Sequence, residues 1–334
     1  MGSNITIDDV AKALGISKTT VSRAISGRGR VSEKTKKRVL EYIKEVDYVP
    51  NAMAKGLAQR RNFNICVTLP GDYNAMELSF FHSILVGISD YLADKEYDIL
   101  IAKVTENDIS GLKRIVNNKK VDGVILTRTV IDGEAIKFLK TIDMPYLAIG
   151  SCPYDDVVQI DSMNYEGALE LTSILLSKNF KKISLVCGNM LHYVTSDRLN
   201  GFKDAFKQAN MKFDSSLLYT DVVSESGIDK SVEDALRNGT DCIVCMDDYI
   251  CTRVLRKLKT EKKKVPRDVK VASFYGSPIL EFNVPAITCL EYPEDEIGML
   301  AARTMLEMLE GEEEVPLKQR VGYNVVLKES TKIV

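Results

Sequence analysis

The chain has 334 residues, of which 45% are hydrophobic and 28% are charged, a composition typical of a globular protein with a sizeable core. Its length predicts two or three domains. The N-terminus has no cationic stretch that leads into a long apolar run, and no window approaches the ~18 apolar residues of a membrane helix. We therefore expect a cytoplasmic protein without a membrane partner.

The formal net charge of −2 is the sum of two unlike parts. Residues 1–61 carry 13 basic and 6 acidic side chains, which is a net charge of +7. The remaining residues carry 32 basic and 41 acidic side chains, which is a net charge of −9. A basic segment at one end of an acidic chain is expected when only that end contacts nucleic acid.

The cysteines predict reduced, buried thiols and no disulfide framework. Their number, seven, is odd, and most of them lie in apolar strand-like or helix-like contexts. Cys242 and Cys245 form a CxxC pair, but neither a second pair nor a nearby histidine completes a zinc site. We expect no metal and no cofactor. The cysteines in apolar contexts are Cys66, Cys187, Cys242, Cys245 and Cys251.

Three short helices are predicted in the basic segment. Thr6, followed three residues later by an acid, matches a capping box, and Gly15 ends this first helix. Ser17 caps a second helix that runs to Ser26, and Ser32 caps a third. Three short helices with a tight glycine-containing turn between the first two are typical of a helix-turn-helix.

The second helix has two chemically different faces when residues are spaced at about 100°. Val21 and Ala24 lie on a small apolar face that suits packing against two other helices. The opposite face is polar, with short side chains that allow close approach to a major groove, and Arg23 can bind guanine bidentately. An ordinary solvated helix face is the alternative, but the flanking basic residues favour DNA binding. The polar face consists of Lys18, Thr19, Ser22, Arg23 and Ser26.

Four motifs of the basic segment resemble the headpiece of the lactose/galactose repressor family of bacterial transcriptional regulators. They are IDDVA at 7–11, GISKTTVSR at 15–23, VSEKT at 31–35 and YVPNAMAKGL at 48–57. The resemblance implies that the second helix enters the major groove of double-stranded operator DNA. It implies base contacts from Lys18, Thr19, Ser22 and Arg23, and contacts nearer the DNA backbone from Ser17, Thr20, Ser26, Arg30 and Asn51.

Residues 49–61 are predicted to form a hinge between the DNA-binding segment and the rest of the chain. A helix-capable stretch follows Pro50, but it is shorter than the ~12–15 residues at which an isolated helix becomes even marginally stable. Our hypothesis is that it folds on DNA. The resemblance implies that Leu57 enters the minor groove as a wedge, with Ala54 among the DNA contacts. The alternative is a plain linker with Leu57 packed on the body.

From residue 62 onward, short apolar strands alternate with amphipathic helices in two successive series. This alternation predicts two doubly wound parallel-sheet lobes, an α/β body that follows the all-α headpiece. The family resemblance implies that this body is similar to periplasmic sugar-binding proteins. The predicted strands cover 65–69, 97–104, 123–127, 145–150, 183–187, 217–219, 242–246, 269–274, 287–290 and 323–327. The expected domains are a headpiece at 1–48, a hinge at 49–61 and a body at 62–334, with an N-lobe at about 62–160 and 291–321 and a C-lobe at about 161–290 and 322–334.

Ligands of open α/β sheets bind at the carboxyl ends of strands, which places a small-molecule effector between the lobes. Arg198 could hold vicinal hydroxyls or a carboxylate there, and the alternative is a surface arginine paired with an acid. The resemblance favours the effector role, since Arg198 falls where family members hold effector. His192 is expected to be a solvated loop residue. The candidate effector-binding residues are Asp72, Tyr73, Phe80, Arg128, Arg198, Asp247 and Tyr275.

Two departures from the family pattern leave the effector's identity open. Asp247-Asp248 stands where relatives often have Asn-Asp, and Tyr275-Gly276 stands where they often have Asp. Asp247 can still accept hydroxyl protons, and Tyr275 can stack on a sugar face. We therefore expect a sugar or sugar derivative without naming it.

No catalytic motif is present, because the chain lacks a GxGxxG after a strand, a P-loop, an HExxH and a nucleophile elbow. We therefore predict no catalytic residues and no enzyme activity. The predicted function is that of a ligand-controlled repressor, which binds a pseudo-palindromic operator as a homodimer. The alternatives are a solute-binding-type protein, or a regulator that is controlled by a protein co-regulator and has no small-molecule effector.

Overall fold

The computed structural model describes residues 5–26, 29–48, 56, 59, 61–72, 79–311 and 314–333. The chain divides into two compact units, Met1–Asn62 and Phe63–Val334. Among the described residues, no helix is both long enough and apolar enough to cross a membrane.

The first unit contains α1 (Ile7–Leu14), α2 (Lys18–Ser26) and α3 (Glu33–Glu45). The predicted capping box is present, since the Thr6 hydroxyl accepts from the Asp9 backbone N–H and the Asp9 carboxylate accepts from that of Thr6. Three helices and their caps therefore form as the sequence predicts. Their shared core is small and consists of Val10, Ala11, Leu14, Val21, Ala24 and Val39.

The second unit alternates helices and strands. Its strands are β1 (Asn64–Pro70), β2 (Asp98–Val104), β3 (Gly123–Leu126), β4 (Tyr146–Ile149), β5 (Val158–Asp161), β6 (Ile183–Val186), β7 (Leu218–Tyr219), β8 (Cys242–Cys245), β9 (Lys270–Ser273), β10 (Thr288–Glu291), β11 (Lys318–Arg320) and β12 (Asn324–Val326). Its helices are α4 (Ser79–Ala93), α5 (Ser110–Asn117), α6 (Glu134–Leu139), α7 (Asn164–Ser177), α8 (Tyr193–Gln208), α9 (Glu225–Arg237), α10 (Asp248–Thr260), α11 (Pro278–Glu281) and α12 (Glu294–Glu310).

The strands form two six-stranded sheets, in the orders β11-β5-β4-β3-β1-β2 and β12-β10-β9-β8-β6-β7. Neighbouring strands are parallel except for β10 and β12, which are antiparallel. We call the part of the body around the first sheet the N-lobe and the part around the second sheet the C-lobe. The predicted fold class, a helical headpiece with two parallel-sheet lobes, is confirmed.

Two strands of the N-lobe, β5 and β11, are absent from the predicted set. β11 has the sequence Lys-Gln-Arg and therefore carries no apolar signal. It forms because its backbone pairs with that of β5, where the Gln159 N–H donates to the Leu317 carbonyl at 2.8 Å and the Val321 N–H donates to the Asp161 carbonyl at 2.8 Å. Pairing with a distant segment, not local composition, makes this edge strand.

One face of α4 is buried in the N-lobe. Phe81, Ile84, Ile88 and Leu92 are buried, whereas Leu85 is only half-buried. All seven cysteines are buried and free, which agrees with the prediction of reduced, buried thiols. The two cysteines that were not named in that prediction, Cys152 and Cys289, are also buried.

Helices α7 and α8 of the C-lobe pack closely at a glycine. Gly201 of α8 lies against the backbone of Tyr165 in α7, and a Cβ atom at Gly201 would overlap the Tyr165 carbonyl oxygen. A Cβ atom at Gly322, in contrast, would meet no other atom within 4 Å. Close approach of the two helices therefore requires the absence of a side chain at residue 201.

We expect Gly201→Ala to lower the free energy of unfolding by about 1–3 kcal/mol, because overpacking against rigid backbone outweighs the gain of about 1 kcal/mol in helix propensity. Thermal denaturation followed by circular dichroism measures the change. Gly322→Ala is the matched control and should keep the wild-type Tm. Equal Tm values for the two variants would contradict the close contact.

Candidate functional site

A cavity of about 130 Å³ lies between the N-lobe and the C-lobe, at the carboxyl ends of strands from both sheets. Thr127 and Arg128 reach it from the end of β3, and Ser162 follows β5. Asp247 follows β8, and Tyr275 follows β9. Parallel strands of two sheets therefore direct polar side chains into one shared cavity.

Five of the predicted effector-binding residues line this cavity: Phe80, Arg128, Arg198, Asp247 and Tyr275. A sixth, Asp72, is the ion-pair partner of Arg128, and Tyr73 lies outside the described residues. The roles of all seven in effector binding stay predictions. The sequence did not point to several further lining residues, among them Asn164, Val194, Tyr249 and Tyr292.

Arg198, in the second turn of α8, is only 8% exposed. Its Nε donates to the Asn164 side-chain oxygen at 3.0 Å, and its Nη1 donates to the Met246 carbonyl at 2.8 Å. Its guanidinium carbon lies 5.6 Å from the ring centre of Tyr292, within the range of a cation–π contact. The alternative of a surface arginine paired with an acid is therefore wrong.

Arg128 has a different environment. Its Nη2 donates to both carboxylate oxygens of Asp72, at 2.8 and 3.0 Å. Both residues belong to the N-lobe, so this ion pair neutralises one of the two arginines in the cavity without bridging the lobes. Since Arg128 is largely buried, the pair holds its guanidinium in a fixed position at the end of β3.

Two adjacent aspartates bring carboxylates to the C-lobe side. One Asp247 oxygen accepts from the Ile250 N–H at 2.8 Å and caps α10. Asp248 is 6% exposed and accepts from the Ser79 hydroxyl of the N-lobe at 3.3 Å. Burial raises the pKa of the Asp248 carboxyl. The two aspartates therefore have different contacts. Asp247 caps α10, whereas Asp248 accepts a hydrogen bond from the opposite lobe.

Aromatic rings close one side of the cavity. Phe80 of the N-lobe meets Tyr275 of the C-lobe edge to face, with 5.8 Å between ring centres. Tyr275 lies nearly parallel to Tyr292, with 6.3 Å between ring centres. Burial raises the pKa of Tyr275, so its hydroxyl stays protonated and can donate a hydrogen bond.

Backbone and side-chain contacts join the two lobes at the edge of the cavity. The Ile131 N–H donates to the Leu191 carbonyl at 2.8 Å, and the Tyr193 N–H donates to the Thr129 carbonyl at 3.2 Å. The Ser151 hydroxyl donates to the Asp197 carboxylate beside them. These contacts hold the lobes in one defined arrangement.

His192, at the N-cap of α8, is 5% exposed and lines the cavity, so the expectation of a solvated loop histidine is wrong. The backbones of Val130 and His192 form an isolated β-bridge between the lobes. Burial, together with the charge of Arg128, lowers the pKa of His192 to about 4, although the Asp72 carboxylate opposes this change.

Asp72, Glu106 and His192 bring three possible metal ligands within 4.8 Å of one another. The Nε2 of His192 lies 3.4 Å from Glu106 Oε1. However, Asp72 is engaged by Arg128, whose positive charge disfavours a cation in this position. The donor set therefore fits an ion-paired network better than a metal site.

The headpiece presents the predicted polar face of α2 to solvent. Lys18, Thr19, Ser22 and Arg23 are exposed, whereas Val21 and Ala24 are buried. The Ser17 hydroxyl accepts from the Thr20 N–H at 3.1 Å and so caps this helix. Arg30 is also exposed. The Ser26 side chain and the predicted hinge contacts Asn51, Ala54 and Leu57 lie outside the described residues.

Comparison with known proteins identifies the family. Residues 6–51 match the model of bacterial regulatory proteins, lacI family, and residues 172–331 match that of a periplasmic binding protein-like domain. The chain is 30% identical to catabolite control protein A of Staphylococcus epidermidis over 328 residues, which cover 96% of this chain and 98% of the relative. The chain belongs to the lacI family. It is a transcriptional regulator and not an enzyme, as predicted.

Other members of the lacI family are similar over nearly the whole chain. The regulator MalR of Streptococcus pneumoniae is 27% identical over 333 residues, which cover 97% of this chain and 99% of the relative. A structure of the lac repressor dimer bound to operator and an anti-inducer has a TM-score of 0.82 at 19% identity, covering 98% of this chain and 99% of that chain. A complex of the regulator CelR with cellobiose has a TM-score of 0.73 at 24% identity. The match covers 98% of this chain and 99% of the CelR chain.

Because the pKa of His192 is about 4 in the folded protein and about 6.5 when unfolded, the unfolded chain binds more protons between these values. The stability that the neutral imidazole contributes is present above pH 6.5 and is lost as the pH falls towards 4. We expect the His192 imidazole to lower the free energy of unfolding by about 2 kcal/mol when the pH falls from 7.5 to 5.

Urea denaturation of the wild type and of His192→Gln at both pH values measures this loss, which the variant should lack. His82→Gln removes the exposed histidine of α4 and is the matched control. If His192→Gln lost as much stability between the two pH values as the wild type, buried His192 would not cause the acid sensitivity.

Proposed function

We propose that this regulator is a repressor that binds a pseudo-palindromic operator as a homodimer and is controlled by a sugar or sugar derivative in the cavity between its lobes. The observation that carries the proposal is the exposed polar face of α2 within a capped three-helix unit. DNA binding also supports action in the cytoplasm. The proposed domains remain the headpiece at 1–48, the hinge at 49–61 and the body at 62–334.

The α2 face supports base recognition because it combines short polar side chains with two long cations, Lys18 and Arg23. Arg23 can form two hydrogen bonds with a guanine edge, and Ser22 and Thr19 can donate to or accept from either bases or phosphates. The net charge of +7 on residues 1–61 supplies the sequence-independent attraction to phosphate. The proposed DNA contacts are Ser17, Lys18, Thr19, Thr20, Ser22, Arg23, Ser26, Arg30, Asn51, Ala54 and Leu57.

An exposed apolar surface and the similar lac repressor support a homodimer, which would match a pseudo-palindromic site. A pseudo-palindromic site presents two equivalent half-sites, which match two headpieces related by a two-fold axis. In the C-lobe, Phe282 and Val284 are 81% and 94% exposed, and Ile279 beside them is also exposed, an apolar surface of the kind that marks interfaces. The similar lac repressor is described as a dimer.

Sedimentation equilibrium of the full chain measures its oligomeric state. A monomer at micromolar concentration would contradict the proposed homodimer.

The cavity supports an effector role for Phe80, Arg128, Arg198, Asp247 and Tyr275, together with Asp72 and Tyr73. It combines aromatic surface with hydrogen-bond donors and acceptors, as sugar binding requires. CelR, which has a similar fold, is described in complex with cellobiose. An effector that binds one arrangement of the lobes better than another changes operator affinity by that difference in binding free energy.

We expect Arg23→Ala to weaken binding to a selected operator by about 1–3 kcal/mol, because a bidentate contact with a guanine is lost. Binding to random duplex DNA should weaken much less. Fluorescence anisotropy at two salt concentrations, with an operator first selected from a random pseudo-palindromic pool, measures both. Lys12→Ala removes a cation from α1 outside the α2 face and serves as the control. Equal losses of affinity for operator and random DNA would indicate that Arg23 contacts a phosphate and not a base.

We expect Arg198→Ala to abolish the effect of small molecules on operator binding while operator affinity stays near that of the wild type. Arg198 contacts the cavity and belongs to the body, so its loss removes an effector contact and no DNA contact. Titration of the operator complex with a panel of sugars and sugar phosphates, read by anisotropy, checks this. A folded Arg198→Ala protein that had lost operator binding would contradict the assignment.

A further inference from the structure

The amino ends of three C-lobe strands form one strongly basic surface. Strands β6, β8 and β9 are parallel neighbours in the second sheet, so the segments that lead into them lie side by side at one edge. The Asp241 N–H donates to the Lys182 carbonyl at 2.8 Å, and the Lys270 N–H donates to the Asp241 carbonyl at 3.0 Å, which joins the three segments. We call this surface the basic edge, and it consists of residues 178–182, 237–242 and 259–270.

The basic edge carries a charge opposite to that of the rest of the body. Its three segments contain 10 basic and 3 acidic side chains, which is a net charge of +7. The other residues between 62 and 334 contain 22 basic and 38 acidic side chains, which is a net charge of −16. The net charge of −9 on the body therefore conceals a concentrated positive surface. The basic residues of this surface are Lys178, Lys181, Lys182, Arg237, Lys259, Lys262, Lys263, Lys264, Arg267 and Lys270.

The acidic residues of the basic edge are engaged by neighbouring groups. Asp241 Oδ2 accepts from two backbone N–H groups, at 2.9 Å each. Asp268 accepts from the Lys264 N–H at 2.8 Å and from Arg267 Nε at 3.0 Å. Glu261 Oε1 lies 2.8 Å from the ammonium nitrogen of a lysine in α10. The three carboxylates therefore neutralise only part of the surface.

Four exposed lysines of the basic edge form no ion pair with any described residue: Lys259, Lys262, Lys263 and Lys264. A lysine in the last turn of α10, such as Lys259, is also explained by the helix dipole. The other three follow the end of that helix, so the dipole does not account for them. The Asp268 N–H donates to the Lys264 carbonyl at 2.7 Å and closes the loop that carries them. A short hydrogen-bonded loop thus presents three consecutive cations to solvent.

The chemistry of the basic edge fits a phosphate backbone better than a protein partner. None of the exposed side chains in its three segments belongs to an apolar residue. Interfaces between proteins have an apolar core and few lysines, whereas interfaces with DNA are polar and strongly positive. Lysine supplies a point charge on a flexible stem, which suits phosphates at variable positions.

The basic edge lies far from the point at which the chain enters the body. The chain enters at Phe63, directly before the amino end of β1. Since the carboxyl ends of strands from both sheets meet at the cavity, the amino ends of β1 and of the C-lobe strands lie at opposite ends of the body. The basic edge therefore suits a DNA segment other than the one that the headpiece reads.

We propose that the basic edge binds the phosphate backbone of a second DNA segment, without sequence preference. A regulator that holds its operator through the headpiece then tethers another stretch of duplex through the far end of the C-lobe. Each lysine that neutralises a phosphate releases a counterion, so this contact weakens steeply as the salt concentration rises. The proposal adds a second nucleic-acid contact to the one that the charge of residues 1–61 predicts.

Acetylation of surface lysines by an N-hydroxysuccinimide ester, read by mass spectrometry, tests the contact on the full-length wild-type protein. Random duplex DNA is added up to about ten times the concentration of half-maximal protection. We expect the lysines at 262–264 to react about tenfold more slowly, because about one molecule in ten is then free of DNA. Lys113, Lys203 and Lys230, which are exposed on other helices of the body, are the internal controls and should keep their rates.

A triple variant, Lys262→Gln, Lys263→Gln and Lys264→Gln, tests whether the surface holds a second duplex. The protein is first saturated with an immobilised operator from the selected pseudo-palindromic pool, and capture of a fluorescent random duplex is then measured at several salt concentrations. We expect the slope of log affinity against log salt concentration to fall by about 2–3 and the low-salt affinity for the random duplex to fall about tenfold or more. Affinity for the operator should stay near that of the wild type.

The matched control is the triple variant Lys113→Gln, Lys203→Gln and Lys230→Gln, which removes the same charge outside the basic edge. Equal capture of the random duplex by the two triple variants would overturn the inference. Unchanged acetylation at 262–264 throughout the DNA titration would also overturn it, and this arm needs neither an operator nor an effector. Poly-glutamate that protects these lysines as well as DNA does, at equal charge concentration, would overturn the choice of DNA and indicate an acidic protein partner.

Discussion

The body of this regulator depends on one constraint, the meeting of two sets of parallel strands at their carboxyl ends. Each strand end delivers the first residues of a loop or helix to the same boundary, so polar side chains from β3, β5, β8 and β9 converge although they are far apart in sequence. The cavity, the cross-lobe hydrogen bonds and the burial of Arg198 and His192 all follow from this convergence.

Charge is distributed over the chain in two ways that serve different partners. The basic headpiece carries its charge on exposed side chains, where each one remains solvated and available to phosphate. In the body, two largely buried arginines line one cavity: Arg128 forms an ion pair with Asp72, and Arg198 donates hydrogen bonds to Asn164 and the Met246 carbonyl. A small number of desolvated charges in the body can therefore discriminate among ligands, whereas the many exposed charges of the headpiece cannot discriminate among DNA sequences by themselves.

The headpiece and most strands could be predicted because their signals are local. Thr6 and Gly15 begin and end α1 through hydrogen bonds and backbone conformation within a few residues, and short apolar runs marked ten of the twelve described strands. The edge strand β11 could not be predicted, because only its partner β5 makes it a strand. Asn164 was missed for the same reason, since it follows β5 at the start of α7.

The sequence by itself determined the family, the helix-turn-helix with its polar and apolar faces, and the alternating pattern of the two lobes, because all of these depend on residue spacing along single elements. Only the tertiary structure decided that Arg198 is buried and hydrogen-bonded to Asn164 and the Met246 carbonyl, and that His192 is buried and not solvated. These two facts depend on which groups of one lobe face the other, and residue spacing within either lobe carries no information about that.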